Sequence, residues 1–281
     1  MRIDRWRKPL ILSLAAAMAP AAAGCAEDQS KSALLDYSKS AHDMYERGME
    51  EFDDEDCVEA DKIFKDVRRQ FPYSRYAVTA ELRLADCQFI QGNYAEAAVA
   101  YGQFVKAHPT HEDAHYAAYK KGVSYVETIP DDWFINPPPY ERDQGATRDA
   151  RAALSRFVRA YPGSPLRERA QEMLCEVEDH LVDHEMYVAE FYLARDDHLA
   201  AVTRLEGIRH HFDNSTLVPD AMFLQAKTFL YMGRVLDARR VFGEIVEHFP
   251  EHHQSLRAKD YLDRLDREIA SESAGGEGND G

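Results

Sequence analysis

The chain has 281 residues, with 34 Lys and Arg against 50 Asp and Glu for a formal net charge of −16. At 45% hydrophobic and 30% charged it is too apolar for a disordered polymer and long enough to bury a real core. The acidic balance argues against nucleic acid as a partner, which demands a basic face, and 4 Cys are too few for a disulfide scaffold. Beyond the N-terminus no apolar run approaches the roughly 20 residues that span a bilayer.

Residues 1–24 have the layout of an export signal. Arg2, Arg5, Arg7 and Lys8 form a cationic start, Leu10 to Met18 a short apolar run, and Ala21-Ala22-Ala23-Gly24 a small-residue exit ending at Cys25. The exit resembles a lipobox, where a peptidase cuts before a Cys that carries acyl chains, although Ala22 stands where Leu is usual. Each buried CH₂ of such chains contributes about 0.8 kcal/mol, so two or three chains anchor permanently. Ordinary cleavage near Ala23, leaving a free thiol, is the plainer alternative. Ala26 in place of Asp after the Cys points to the outer membrane, and residues 25–36 read as a lipidated linker.

From residue 37 a pattern recurs: Ala, large apolar residues at +4 and +7, then Pro at +12. Its copies are Ala60-Phe64-Val67-Pro72, Ala97-Tyr101-Phe104-Pro109, Ala150-Leu154-Phe157-Pro162, Ala201-Leu205-Ile208 with Asp213 in place of Pro, and Ala238-Phe242-Ile245-Pro250. The first three positions share one helical face, Ala admits a neighbouring helix closely, and Pro ends the helix. Ser74, Thr110, Ser164 and Ser215 follow as candidate caps for the next helix. A helix before each of these carries a small residue, Gly48, Ala85, Gly122, Ala189 or Ala226. Such a unit is a tetratricopeptide (TPR) helix pair, with turns at Gly92-Asn93 and Met232-Gly233.

The repeated Ala residues are 37, 53, 51 and 37 positions apart. The first long interval holds a Pro-rich loop at 129–146. The second holds a helical pattern at 165–182, read as an extra helix linking two sub-arrays. Repeats 1–3 thus occupy 37–163; the linking helix, repeats 4–5 and a capping helix from 251 occupy 164–269; and 270–281 is expected to be a disordered acidic tail. The fold class is all-α, a TPR superhelical solenoid of five helix pairs.

In such a solenoid the first helix of each pair lines the concave face. Counting from the small residues places Tyr45, Met49, Phe52, Leu82, Phe89, Tyr116 and Tyr119 there, an aromatic and aliphatic lining with little charge. It suits an extended or turn-forming peptide with aromatic side chains; packing between adjacent helices is the alternative for any one of them.

The segments Phe71-Pro72-Tyr73-Ser74-Arg75-Tyr76-Ala77, Tyr101 to His111, Arg142-Asp143-Gln144 and Ala201 to Ile208, behind the candidate lipidated Cys25, resemble the BamD family of TPR lipoproteins over roughly residues 25–250. The resemblance implies a non-enzymatic scaffold on the periplasmic face of the outer membrane. It implies binding to a BamA-like β-barrel insertase and other assembly subunits, and recognition of unfolded outer-membrane proteins by the N-terminal groove. Arg204 falls where that family contacts its partner, and Glu206 or Asp197 would otherwise pair with it. A different periplasmic TPR scaffold of a cell-envelope or secretion complex is the second reading, and a hydrolase using the 129–146 loop the third.

No catalytic elbow, P-loop or dinucleotide fingerprint occurs, and no cofactor is expected. His111/His115, His180/His184 and His248/His252 are i,i+4 pairs but lack further ligands and read as surface imidazoles, so no metal is expected. Cys57 and Cys87 fall on antiparallel neighbouring helices, which leaves a disulfide between them open.

Overall fold

The computed structural model describes residues 23–130 and 138–276, so most of the export signal lies outside it. Among the described residues there are helices and no strand. α1 (Ala23–Asp53) pairs with α2 (Cys57–Gln70), α3 (Arg75–Ile90) with α4 (Tyr94–Ala107), and α5 (Ala114–Glu127) with α6 (Gly145–Ala160). α7 (Arg167–Leu193) pairs with α8 (His198–His211), α9 (Val218–Tyr231) with α10 (Val235–His248), and α11 (His253–Gly276) closes the array. None of these helices is long and apolar enough to cross a membrane.

The recurring pattern is the packing code. Ala60, Ala97, Ala150, Ala201 and Ala238 are all fully buried, as are the large residues four and seven positions on, from Phe64 and Val67 to Phe242 and Ile245. Each such large side chain contributes roughly 1.5–3 kcal/mol relative to exposure. The small residue of the preceding helix makes room for it. A Cβ on Gly48 would stand 2.7 Å from the Phe64 ring, and one on Gly122 would stand 2.6 Å from Leu154. The buried side chains form four successive clusters along the chain, as a solenoid of neighbour contacts requires.

Two kinds of turn join the helices. Within four of the pairs a left-handed residue reverses the chain: Glu55, Gly92, Asp196 and Gly233 all have φ between 60° and 76°. Glycine adopts this freely, whereas Glu55 and Asp196 hold it against Cβ crowding. Between pairs, the residue two after the Pro position accepts from the backbone N–H two residues on, as the N-cap of α3 at Ser74 and within the turn just before the helix at Ser164 and Ser215. Ser74 Oγ accepts from Tyr76 N–H at 3.0 Å, Ser164 Oγ from Leu166 N–H at 3.2 Å, and Ser215 Oγ from Leu217 N–H at 3.1 Å. His111 Nδ1 does the same for Asp113 N–H at 3.1 Å, so His111 and not the expected Thr110 makes this bond. Of the four expected caps only Ser74 is the N-cap of its helix, because α5, α7 and α9 start from Asp113, Leu166 and Leu217 without a side-chain cap bond. Thr110 stands one position too early for that bond.

Three expectations about boundaries change. The linking helix at 165–182 is not separate, because α7 runs unbroken for 27 residues into the first helix of the fourth pair. Nothing between Arg167 and Leu193 is Pro or Gly, and the buried stripe Ala170, Leu174, Val177, Leu181, Val182, Ala189 continues through both parts. Helix also covers the expected linker at 25–36, since α1 starts at Ala23. At the other end α11 extends through residues 270–276 of the expected disordered tail. These residues lack Pro, and a helix already nucleated propagates at little expense.

Asp213, which replaces Pro, does not leave its turn loose. The buried Glu178 of α7 accepts from Asn214 N–H at 2.8 Å and from Asn214 Nδ2 at 3.2 Å, while its other oxygen accepts from Arg151 Nε of α6 at 2.9 Å. Next to it, Asp179 accepts from Ser215 Oγ at 2.6 Å and from Thr216 N–H and Oγ1 at 2.7 Å each. Arg151 also donates to the His211 carbonyl and lies 5.0 Å from the centre of the Phe212 ring. Two adjacent carboxylates thus join α6, α7 and the α8–α9 turn. Replacing Glu178 with Ala leaves the Asn214 amide and Arg151 without their acceptor. Urea denaturation is expected to show a loss of about 2–4 kcal/mol.

Candidate peptide groove

Side chains of α1, α3 and α5 meet one another: Tyr45 meets Tyr76, Arg83 meets Phe52, Lys120 meets Phe89 and Tyr116 meets Asp86. On α1, Tyr45 packs at 5.6 Å from both Phe64 and Tyr76, Phe52 stands edge-on to Phe64 at 6.4 Å, and Met49 leans on the same cluster. On α3, Phe89 contacts Tyr94 at 5.2 Å, and on α5 Tyr116 meets Tyr101 edge-on at 6.5 Å. These five expected groove residues are half-buried, each with part of a side chain left to solvent. Two others are not on the surface. Leu82 is fully buried against Tyr101 and Phe104, and Tyr119 is 6% exposed, with its ring 5.7 Å from Phe157. Each lies three residues before the small residue of its helix, Ala85 or Gly122, and so shares the stripe that faces the next helix.

The position after each is half-buried, and both residues there are cationic. Arg83 follows Leu82 and Lys120 follows Tyr119, a spacing of 37 residues that matches Ala85 to Gly122. The expectation of a lining with little charge is therefore incomplete. At the centre lies Asp86, 3% exposed, accepting from Arg83 Nη1 at 2.5 Å, Tyr101 Oη at 2.6 Å and Tyr116 Oη at 2.9 Å. One buried carboxylate thus ties α3, α4 and α5. Arg83 lies 5.8 Å from the centre of the Phe52 ring, and its buried Nε has no hydrogen-bond partner among the described residues. Lys120 places Nζ 3.2 Å from the centre of the Phe89 ring, and burial pulls its pKa below the ordinary lysine value. A half-buried ammonium resting on a ring face offers its outer side to an acceptor.

Burial, then the Asp86 charge, pushes the Tyr101 and Tyr116 phenols above their ordinary range. Both must stay protonated to donate to Asp86. A tyrosine with a raised folded-state pKa gives stability that is whole below the unfolded value of about 10 and is lost as pH climbs past it. The urea midpoint is expected to fall between about pH 9 and 11, and Tyr101→Phe/Tyr116→Phe is expected to flatten that fall while lowering stability at neutral pH.

The chain matches the family model YfiO, described as outer membrane lipoprotein, over residues 37–241. It belongs to that family. It is 30% identical over 250 residues to outer membrane protein assembly factor BamD of Caulobacter vibrioides, covering 89% of this chain and 79% of the relative. BamD of Neisseria meningitidis serogroup A is 25% identical over 241 residues, covering 83% of this chain and 90% of that one. Among solved structures, a thermophilic TPR protein of Thermus thermophilus superimposes with a TM-score of 0.34 at 16% identity, over 79% of this chain and 98% of the other. The repeat assignment rests on the helix pairs described above.

The remaining expected site residues lie elsewhere. Arg204 of α8 is exposed and pairs with Glu185 of α7 at 3.2 Å, not with Glu206 or Asp197. Asp197 instead caps α8 through Ala200 N–H at 3.1 Å. Cys25 falls within α1, but its side chain lies outside the described part. Cys57 and Cys87 share one core cluster as free, buried thiols, and burial followed by contact with Cys57 pushes the Cys87 thiol up. Arg142-Asp143-Gln144 shapes the start of α6: Asp143 Oδ2 accepts from Gly145 N–H at 3.1 Å, and the buried Gln144 donates to the Arg142 carbonyl at 2.9 Å. The second half of the 129–146 loop rests on α7, where His184 Nδ1 meets the Tyr140 carbonyl at 2.6 Å and Tyr140 packs 5.2 Å from Tyr187.

Proposed function

We propose that this chain is a lipid-anchored, non-enzymatic scaffold of the β-barrel assembly machinery, held by Cys25 on the periplasmic face of the outer membrane. In this reading it binds a BamA-like insertase and unfolded outer-membrane proteins, and so couples substrate to insertase. The observation that carries it is the set of half-buried side chains Tyr45, Met49, Phe52, Phe89 and Tyr116 on α1, α3 and α5, with the Arg83 guanidinium beside the Phe52 ring and the Lys120 ammonium over the Phe89 ring. Rings offer large, stiff contact area to the alternating aromatic side chains of a barrel strand, and Lys120 and Arg83 offer donors to its backbone carbonyls. Family membership supports the same reading, since the curated relatives named above are assembly factors by description.

The face is tested with a fluorescent peptide ending in an aromatic residue. Phe52→Ala/Phe89→Ala is expected to weaken its binding about tenfold or more, as loss of two ring contacts does. Unchanged affinity in a variant that circular dichroism shows to be folded would reject the groove. For partner docking, a fork-shaped guanidinium suits bidentate recognition of a carboxylate. Arg204→Glu is expected to reduce copurification of a BamA-like protein from crosslinked envelopes. Copurification of other envelope components alone would favour the scaffold of a different complex.

A further inference from the structure

At the far end of the array the fold brings together three side chains that no helical spacing pairs. Asp220 stands in the first turn of α9, and His252 and His253 are consecutive at the turn into α11. His252 Nε2 lies 3.5 Å from Asp220 Oδ2, and His253 Nε2 lies 3.2 Å from Asp220 Oδ1. The two imidazole rings are 4.3 Å apart between centroids, and one ligand atom from each of the three residues falls within 4.8 Å of the others. A zinc ion binds imidazole nitrogen and carboxylate oxygen at about 2.0–2.2 Å, so the edge of its ligand tetrahedron is about 3.3–3.5 Å. Each imidazole already stands about that far from one oxygen of Asp220, His252 from Oδ2 and His253 from Oδ1.

We propose that Asp220, His252 and His253 form a three-ligand site for a divalent transition-metal ion, zinc by its ligand set, with solvent at the fourth position. His253 is exposed, which gives the ion access and leaves the fourth position open. Gln254 Nε2 donates to Asp220 Oδ1 at 2.7 Å and orients the carboxylate, the usual task of an outer partner. His252 Nδ1 accepts from Gln254 N–H at 3.3 Å, which leaves the imidazole proton on Nε2. On metal binding at Nε2 that proton passes to Nδ1, and the long Gln254 contact is given up. Asp183 of α7 stands near enough to feel the Asp220 charge, so the local field favours a cation. The positive ends of α9 and α11 oppose it, which sets the expected affinity in the micromolar rather than the nanomolar range. The ion would fasten the first turn of α9 to the terminal helix.

The test is calorimetric titration of the full chain in detergent with zinc chloride, with cobalt(II) absorption reporting geometry. Wild type is expected to bind one ion per chain at about pH 7.5, to give the intense visible bands of tetrahedral cobalt(II), and to lose binding near pH 5.5, where histidine is protonated. His253→Ala, a change at an exposed position, and Asp220→Asn are each expected to weaken binding at least tenfold. His248→Ala, one turn away, is expected to leave it unchanged. Absence of saturable binding, or equal affinity in wild type and His253→Ala, overturns the site; so does loss on His248→Ala alone.

Discussion

The whole array depends on one steric condition: within each helix pair a small residue on the first helix lets the second helix approach closely. Where that residue is glycine the clearance is nearly nil, since a methyl on Gly48 or Gly122 would overlap Phe64 or Leu154. Where it is alanine, as at Ala85, Ala189 and Ala226, the methyl is completely enclosed. Interiors packed at this density tolerate little change in volume, so the crossing geometry is set repeat by repeat. Because the crossings recur in register, the first helices of successive pairs present equivalent positions to one side. A row of equivalent side-chain positions along that side follows from the packing itself.

Repetition is interrupted at α7, and the interruption is resolved electrostatically. A helix of 27 residues belongs to two seams, one with α6 and one with α8 and α9. Where a proline would have shaped the following turn, Glu178 and Asp179 hold the backbone amides and hydroxyls of Asn214, Ser215 and Thr216. A carboxylate that accepts several hydrogen bonds is tolerated in the interior because its lone pairs are filled. The two sub-arrays are therefore joined by a continuous helix and a polar lock.

The groove shows the same economy. Asp86 orders two phenols and a guanidinium, and one of the rings so ordered, Tyr116, is among the expected groove residues, while Tyr101 is fully buried. Rigid aromatic surface loses little side-chain entropy on binding.

Much of this was legible along the chain. The Ala-to-Pro spacing defined all five helix pairs, because helical periodicity and close packing act over a few residues and leave a local trace. The burial of Ala60, Phe64 and Val67 and of their counterparts followed from it directly. What the chain could not display was decided by contacts between distant segments. Leu82 and Tyr119 differ from Arg83 and Lys120 by one position, and the crossing angle of neighbouring helices determines which of them meets solvent. The fusion of the linking helix into α7 was hidden because a turn is recognised by its breakers, and their absence was masked by repeat counting. Asp86 with Tyr116, Glu178 with Asn214, and Asp220 with His252 and His253 are 30 or more residues apart. Only the stacking of one pair on the next brings them within hydrogen-bonding reach.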